Sequence, residues 1–241
     1  MALKLFYFIT SLGTSILRLL PGEMSHKISL FLLNSFNNLG LIPLHEESIS
    51  NSYTLFGLNF KNKLGISAGL DKNGDYLESL SALGVGFIEI GTVTPKPQKG
   101  NLKPRLFRDI KSKSLINMMG FNNKGVLHLV KNLKLRRKNQ VIIGVSIGKN
   151  SETPIQEAIK DYEECMTCVY EHSDYIAINI SSPNTENLRN LESLEYFNEL
   201  ISSLKKKQIQ LSHDYGYVPL MVKISPDVSD QDLDNLLKEV L

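Results

Sequence analysis

DYIAINISSPN, residues 174–184, is the stretch that decides the fold. It begins as an almost uninterrupted apolar run, which is typical of a strand covered on both faces in a parallel sheet. The run ends in two serines and an asparagine, where a buried strand has to give way to a loop. Because ligands bind at the C-terminal ends of parallel strands, this change from apolar to polar marks a candidate site as well as a strand end.

Four other strand-like runs show the same change, and predicted helices separate the five runs. The polar segments after the runs are, in chain order, SAGLDKNG (67–74), GTVTPKPQ (91–98), SIGKN (146–150), SSPNT (181–185) and SPD (225–227). Strands that alternate with helices predict an α/β protein built from parallel β/α units. The stretch 95–121 contains three prolines and is predicted to be irregular.

The composition excludes several classes of function. The chain has 241 residues, of which 42% are hydrophobic and 22% are charged, as is usual for a globular protein. A net charge of +2 gives no electrostatic reason to expect nucleic acid as a partner. The only two cysteines, Cys165 and Cys168, have a CxxC spacing, but they lie in a predicted helix without a second Cys or His pair. We therefore expect reduced thiols and no metal site.

The N-terminal residues are unusually apolar. The uncharged run 5–17 ends before Arg18, and it is shorter than the ~20 residues that a bilayer span needs. A second helical pattern follows at 24–36. Residues 1–45 are thus predicted to form short helices that either dock on a membrane interface or cap a protein core. Residues 46–241 form the β/α part.

Two lysines and three neutral polar side chains lie in or directly after predicted strands, where a ligand is expected to bind. Lys72 directly follows a strand, and an exposed loop lysine is the alternative to a ligand contact. Lys223 interrupts an apolar strand, so it needs either an acidic partner or a ligand. Asn179, Ser182 and Asn184 offer donors and acceptors that suit a planar polar ligand. None of the five histidines lies at a predicted strand end, which argues against a serine hydrolase. No GxGxxG segment follows the first strand, which argues against a Rossmann dinucleotide fold.

Six motifs together resemble one family. They are AGLDKNG (68–74), EIGTVTPKPQKGNLKPRLFR (89–108), INMMGFNNKG (116–125), IGKN (147–150), YIAINISSPNT (175–185) and VKISPD (222–227). In this order and spacing they resemble the membrane-associated, quinone-dependent class of dihydroorotate dehydrogenases, from about Leu55 to the last residue. The resemblance implies a TIM barrel that binds flavin mononucleotide (FMN) and oxidises dihydroorotate to orotate in pyrimidine biosynthesis. It also implies a membrane quinone as the electron acceptor.

The resemblance assigns roles to individual residues. The expected flavin contacts are Ala68, Gly69, Leu70, Asp71, Lys72, Thr92, Ser146, Asn179 and Lys223. The expected substrate contacts are Lys72, Asn117, Met118, Met119, Gly120, Phe121, Asn179 and Asn184. Ser182 matches the catalytic base, and because the soluble classes have cysteine there, it points to the quinone class. That class implies peripheral attachment to the cytoplasmic side of the cell membrane, with the N-terminal helices as the quinone entrance.

The chain departs from the family in two ways. Ser146 replaces an asparagine that usually contacts the flavin, so one hydrogen bond is expected to be lost or redirected. Five strands are predicted where a (β/α)8 barrel of ~250 residues has eight, so we expect the N-terminal portion of a barrel. The later strands would supply the phosphate site. Such a chain is a fragment of an active dehydrogenase, an inactive remnant, or a module that binds a membrane or a partner protein.

Overall fold

A parallel sheet of five strands forms the centre of the computed structural model, which describes residues 2–43, 52–136, 141–185 and 188–240. The described strands are β1 (Tyr53–Leu55), β2 (Leu58–Phe60), β3 (Gly65–Ile66), β4 (Phe87–Val93), β5 (Leu106–Asp109), β6 (Ser114–Asn117), β7 (Ile142–Ile147), β8 (Tyr175–Asn179) and β9 (Leu220–Lys223). The order in the parallel sheet is β3-β4-β7-β8-β9, which is also the order along the chain. The five predicted β/α strands are confirmed, since each lies beside its predecessor as in a β/α barrel.

A helix follows each strand of this sheet. The described α-helices are α1 (Ala2–Leu17), α2 (Gly22–Asn38), α3 (Leu77–Ser81), α4 (Val126–Leu135), α5 (Ala158–Val169), α6 (Leu194–Tyr215) and α7 (Asp230–Val240). The helices from α4 to α7 pack on one another in chain order. Helix α3 has five residues, and residues 137–140, shortly after α4, lie outside the described part of the chain.

The two faces of the sheet differ in chemistry, because successive side chains of a strand point to opposite faces. One face packs against the helices, and its side chains are almost fully buried in the main core: Ile88, Ile90, Val145, Ile147, Ile176 and Ile178. The alternate positions carry Glu89, Ser146, Ala177, Asn179 and Lys223. The apolar face therefore anchors the helices, while the opposite, concave face holds polar groups.

The prediction of an irregular stretch is wrong for residues 106–117. β5 and β6 form an antiparallel hairpin, in register from Leu106 opposite Asn117 to Asp109 opposite Ser114. The Asp109 carboxylate closes the turn by accepting hydrogen bonds from the backbone N–H groups that follow it, at positions 111 and 112. The apolar alternation of two four-residue strands is too short to be recognised in the sequence. The hairpin depends instead on the aspartate turn and on the pairing between the two strands.

Helix α2 is tied to the β/α part by polar contacts. The Arg105 guanidinium is only 5% exposed and pairs with Glu23 at 2.9 Å. His26 Nε2 lies 2.7 Å from the carbonyl oxygen of Leu70, in the loop after β3. The helix also buries Leu30 in the main core. One side of α2 thus caps the β/α part, as one of the two predicted alternatives requires.

Hydrogen bonds fasten the residues just after helix α1 to β5. Arg108 Nη1, on β5, donates hydrogen bonds to the carbonyl oxygens of Arg18 at 3.1 Å and Leu20 at 2.6 Å. Several large apolar side chains of α1 and of the residues after it are exposed: Phe8, Ile9, Leu12, Ile16 and Leu19. No helix among the described residues is long and apolar enough to cross a membrane. The predicted boundary at residue 45 lies outside the described residues.

Candidate active site

Three predicted flavin contacts from three strands meet at the C-terminal edge of the sheet. Asn179 Nδ2, at the end of β8, donates a hydrogen bond to Thr92 Oγ1 of β4 at 2.7 Å. The hydroxyl groups of Thr92 and Ser146, from β7, lie 2.9 Å apart. All three residues are buried. Ser146, where the family usually has asparagine, therefore makes its hydrogen bond to Thr92.

The loop 68–72 is fastened to β4 by its backbone. The N–H of Gly69 donates to the carbonyl of Gly91 at 2.8 Å, and the N–H of Gly91 donates to the carbonyl of Asp71 at 3.1 Å. A Cβ atom added at Gly69 would meet nothing within 4 Å, so the backbone there borders open space. These bonds hold the loop flat against the strand end while leaving one side of it accessible.

The Asp71 carboxylate shapes the same loop. It accepts hydrogen bonds from the backbone N–H groups of Asp75 at 3.1 Å and Tyr76 at 2.8 Å. Burial raises the pKa of Asp71, and these N–H groups oppose the rise. Both carboxylate oxygens accept hydrogen bonds inside the loop, which uses most of the acceptor capacity of this side chain.

Lys72 lies at the mouth of this loop. Its Nζ donates a hydrogen bond to the carbonyl oxygen of Gly69 at 2.8 Å. Burial lowers the pKa of Lys72, and the nearby Arg105 lowers it further. An ammonium group in a partly buried position with one protein acceptor can still bind an anionic ligand.

The predicted substrate segment 117–121 faces the loop after β8. Asn184 Nδ2 donates to Asn117 Oδ1 at 3.2 Å, and the carbonyl of Asn184 accepts from Asn101 Nδ2 at 3.1 Å. Met118 is exposed and Met119 is half-buried. The adjacent residues Gly120 and Phe121 have positive φ angles of 68° and 50°. The two predicted substrate-binding stretches are therefore joined by their own amide groups.

Ser182 has few contacts. Its Oγ accepts a hydrogen bond from the backbone N–H of Asn184 at 3.3 Å, and the residue is half-buried. Among the residues that the structure describes, no carboxylate and no imidazole forms a hydrogen bond with the Ser182 hydroxyl. Its proton remains available to move, and a donor already points at its oxygen.

Lys223 has the acidic partner that one of the two predicted alternatives requires. Its Nζ lies 2.9 Å from Glu89 Oε1, on β4. The Tyr175 hydroxyl donates to the other Glu89 oxygen at 3.2 Å. Glu89 was not predicted as a site residue, although an acidic residue inside an apolar strand was a signal, since a lysine in another strand needed such a partner.

A polar cluster, called here the strand-end network, consists of the buried residues Thr94, Asn123 and Asn150 and the half-buried Gln98. Asn123 Nδ2 donates to Thr94 Oγ1 at 2.8 Å, and Asn150 Nδ2 donates to the same oxygen at 3.1 Å. Asn150 Nδ2 also lies 2.9 Å from Gln98 Oε1, and Gln98 Nε2 donates to the carbonyl of Gly120 at 3.1 Å. The network joins β4 and β7 to the substrate segment. Its neutral side chains carry no charge signal, so they were not predicted individually.

The two cysteines lie on α5 as unbonded thiols. Cys165 is buried and Cys168 is half-buried. Burial raises the pKa of both thiols, and nearby carboxylates add to the rise. A thiol held in its protonated form is a poor nucleophile and a poor metal ligand.

The comparisons with known proteins agree with the motifs. The family model described as dihydroorotate dehydrogenase matches residues 51–241. Two similar proteins, each named dihydroorotate dehydrogenase (quinone), come from Acinetobacter baylyi and Cellvibrio japonicus. The first is 45% identical over 96% of this chain and 69% of its own length. The second is 50% identical over 89% of this chain and 63% of its own length.

Solved structures show the same fold. The DHODH of Eimeria tenella in complex with ferulenol superposes with a TM-score of 0.80 at 31% identity, over 90% of this chain and 63% of that chain. Its ligand-free form gives a TM-score of 0.79 at 32% identity, over 90% of this chain and 66% of that chain. The chain thus spans about two thirds of the length of the relatives it matches. It belongs to the dihydroorotate dehydrogenase family.

Proposed function

We propose that the protein containing this chain oxidises dihydroorotate to orotate in pyrimidine biosynthesis, with FMN as cofactor and a membrane quinone as electron acceptor. Family membership and the printed names of the relatives support the reaction. The observation that carries it is the meeting of Thr92, Ser146 and Asn179 at one edge of the sheet. The polar groups that converge at the described strand ends favour catalysis over an inactive remnant or a binding module.

The residues present fit the ring system of FMN. Hydroxyl and amide groups from Thr92, Ser146 and Asn179, with ammonium groups from Lys72 and Lys223, match a flat ring whose edge carries donors and acceptors. The open side of Gly69 offers room for the ring against backbone. When bound, FMN would accept the hydride that leaves C6 of the substrate and pass the two electrons on to the quinone.

Lys72, Asn117 and Asn184 would hold the substrate. The Lys72 ammonium suits the carboxylate of dihydroorotate, and the amides of Asn117 and Asn184 suit its ring carbonyl and N–H groups. Two buried atoms beside these stretches, Asn122 Oδ1 and Thr185 Oγ1, have no hydrogen-bond partner among the described residues. Buried polar atoms in this state normally meet a ligand or an ordered water.

Ser182 would remove the proton from C5 of the substrate as the C6 hydride leaves, which forms the double bond of orotate. A serine hydroxyl is a weak base, so its surroundings have to stabilise the negative charge that grows on Oγ. The N–H of Asn184 points at this oxygen from 3.3 Å and does so before the reaction starts. A donor fixed in advance lowers the barrier because it costs no reorganisation during the reaction.

The exposed apolar side of α1 would be the membrane contact. Phe8, Leu12 and Ile16 are spaced by one helical turn and are 67%, 55% and 58% exposed. An amphipathic helix with an exposed apolar side can lie in the plane of the membrane interface. Helix α1 would in this way attach the protein peripherally to the cytoplasmic side of the cell membrane. We propose residues 1–45 as the segment through which the quinone enters.

The test of the reaction is flavin reduction by dihydroorotate in the purified protein containing this chain. Ser182→Ala is expected to slow that reduction ~10²–10⁴-fold, because a general base is lost. The visible absorbance of bound flavin is expected to stay, since Ser182 is not placed against the flavin. The matched control is Ser202→Ala, an exposed serine on α6, which is expected to keep the normal rate. A normal rate in Ser182→Ala would show that the base is another group, and a protein without flavin would overturn the whole proposal.

The test of the membrane contact is co-sedimentation with lipid vesicles. The double substitution Leu12→Ser and Ile16→Ser is expected to weaken vesicle binding ~tenfold or more, because two apolar side chains leave the interface. Leu237→Ser, on α7, removes a leucine that is 46% exposed elsewhere and serves as the control. Equal binding of both variants would rule out α1 as the contact.

A further inference from the structure

The ion pair between Glu89 and Lys223 crosses the concave face of the sheet. Glu89 lies on β4 and Lys223 on β9, and β7 and β8 run between them. The Lys223 Nζ and Glu89 Oε1 atoms are nevertheless 2.9 Å apart. Neighbouring strands are spaced by ~4.8 Å, so two side chains have to extend across the interior to close this gap. Few contacts in a sheet join strands that are three positions apart.

The residues between the partners make room for the contact. Gly144, on β7, has no side chain, and a Cβ atom there would collide with the Tyr175 ring. The ring of Tyr175 therefore lies over the β7 backbone, and its hydroxyl reaches Glu89 Oε2 at 3.2 Å. Both oxygens of the carboxylate are held, one by an ammonium and one by a phenol. Burial raises the pKa of Tyr175, and the Glu89 charge adds to the rise, so the phenol remains a donor.

The two partners differ in exposure in a way that matters for function. The Glu89 side chain is 13% exposed, whereas that of Lys223 is 37% exposed. Glu89 is thus shielded behind a lysine that still has open surface. Lys223 also pairs directly with Asn179 in the sheet register, which places it beside the predicted flavin contacts.

Stability alone is a weak reason for this arrangement. Taking a carboxylate and an ammonium out of water costs about as much as their attraction returns, and apolar side chains of similar size often serve as well or better. A paired charge that faces a ligand site has another use, because the partner fixes where the ammonium points.

We propose that Glu89 is a positioning residue that holds the Lys223 ammonium at the strand-end site for the cofactor, with Tyr175 steadying the carboxylate. The inference rests on the proposed function, because it assumes that Lys223 meets FMN. Glu89 acts only through Lys223, so the effect of changing it depends on whether the lysine is present.

The first measurement needs no flavin. Acylation of lysine amines in the flavin-free protein, followed by mass spectrometry, reports how freely each amine reacts. In Glu89→Gln, labelling of Lys223 is expected to rise about fivefold, because an amine in an ion pair has to leave it before it reacts. The control is Glu157→Gln, which removes the partner of Lys160 in a pair whose side chains are 56% and 77% exposed. Lys160 labelling is expected to change little there. Unchanged labelling of Lys223 in Glu89→Gln would overturn the proposal.

The second measurement is a double-mutant cycle on FMN affinity. Glu89→Gln is expected to weaken FMN binding ~tenfold, and Tyr175→Phe is expected to weaken it less. In a Lys223→Met background, Glu89→Gln is expected to have no further effect, because the group that it positions is gone. Circular dichroism checks that each variant remains folded.

Two outcomes would contradict this inference and can be told apart from a failure of the proposed function. An equal loss of FMN affinity with and without Lys223 would show that Glu89 acts by another route, such as the general stability of the sheet. A wild-type protein that binds no FMN would overturn the proposed function and the cofactor part of the inference. The labelling result would still decide whether Glu89 holds Lys223.

Discussion

The strand-end network and the loop around Ser182 lie at the same edge of the sheet but are held very differently. The buried Asn123 side chain alone makes four hydrogen bonds, two with Thr94 and one each with the backbone of Phe121 and Gly125. Within the described part of the chain, Ser182 accepts a single hydrogen bond, and it is half-buried. A side chain whose donors and acceptors are all used fixes the backbone, whereas one with unused capacity can meet a ligand. The difference separates residues that build the site from residues that react in it.

The largest expected effect on stability comes from the network. Asn123→Ala is expected to lower the free energy of unfolding by ~3 kcal/mol, because the N–H of Gly125 and the hydroxyl of Thr94 lose buried partners. Urea unfolding measures the change. Asn190→Ala, at an exposed asparagine, is the control. A loss similar to that of the control would mean that the network does not hold the strand ends.

The second-largest expected effect on stability concerns the ion pair between Glu23 and Arg105, which attaches α2 to the β/α part. Glu23→Gln removes the carboxylate that pairs with the buried Arg105 and leaves the guanidinium only its backbone acceptors, so it is expected to cost ~2 kcal/mol at neutral pH. Burial by itself raises the pKa of Glu23, but the hydrogen bonds and charge of Arg105 outweigh it and lower the pKa below 4.5. The stabilisation is therefore present above pH 4.5 and is lost as the pH falls through the lowered pKa of the folded state.

The pH dependence provides the check for this prediction. The difference in unfolding free energy between wild type and Glu23→Gln is expected to shrink as the pH falls from 6 towards ~3, because Glu23 becomes protonated in both states. Glu199→Gln, at an exposed position on α6, is the control. A difference that stays constant over this range would assign the effect to packing instead of charge.

A smaller effect on the free energy of unfolding is expected at Tyr162, which lies next to Asn179. The buried Tyr162 hydroxyl donates to the backbone carbonyl of Asn179 at 2.8 Å. Tyr162→Phe is expected to cost ~1 kcal/mol in urea unfolding, because one buried acceptor is left without a donor. Tyr217→Phe, at a tyrosine that is 67% exposed, is expected to cost almost nothing. Equal costs would show that the carbonyl finds another donor.

The smallest expected effect on stability concerns Ser182, the residue with few contacts. Ser182→Ala is expected to change the free energy of unfolding by less than ~0.5 kcal/mol, because the side chain is half-exposed and accepts one hydrogen bond. The same variant is expected to lose most of its flavin reduction. A large loss of stability would place Ser182 among the residues that build the site and would weaken its assignment as the base.

The order of the elements could be predicted from the sequence because it depends on local patterns. Continuous apolar runs such as 174–180 mark buried parallel strands, and each one was found. The β5–β6 hairpin could not be found in this way, because it depends on pairing between two short segments. Its only local signal is Asp109, whose carboxylate organises the turn.

Part of the site could be predicted because it depends on where the strands end along the chain. Chain position alone indicated that the polar segments after β4, β7 and β8 converge, because parallel strands end on one side. The resemblance to the family singled out Thr92 and Ser146 within them. The partner of Lys223 depended on the curvature of the sheet, which no linear pattern records. Neutral amides such as Asn123 and Asn150 resemble ordinary loop residues until their hydrogen bonds are known.

The attachment of the N-terminal helices also fixes an order of events while the chain is made. His26 meets Leu70, which lies 44 residues later, whereas the carbonyl of Arg18 meets Arg108, which lies 90 residues later. The ribosome makes a chain from its N-terminus, so α2 can make its contact with Leu70 before Arg105 and Arg108 exist. The contacts of α2 with Arg105 and of Arg18 with Arg108 follow almost together. Neither step covers the exposed apolar side of α1, which stays accessible to chaperones and membranes throughout synthesis.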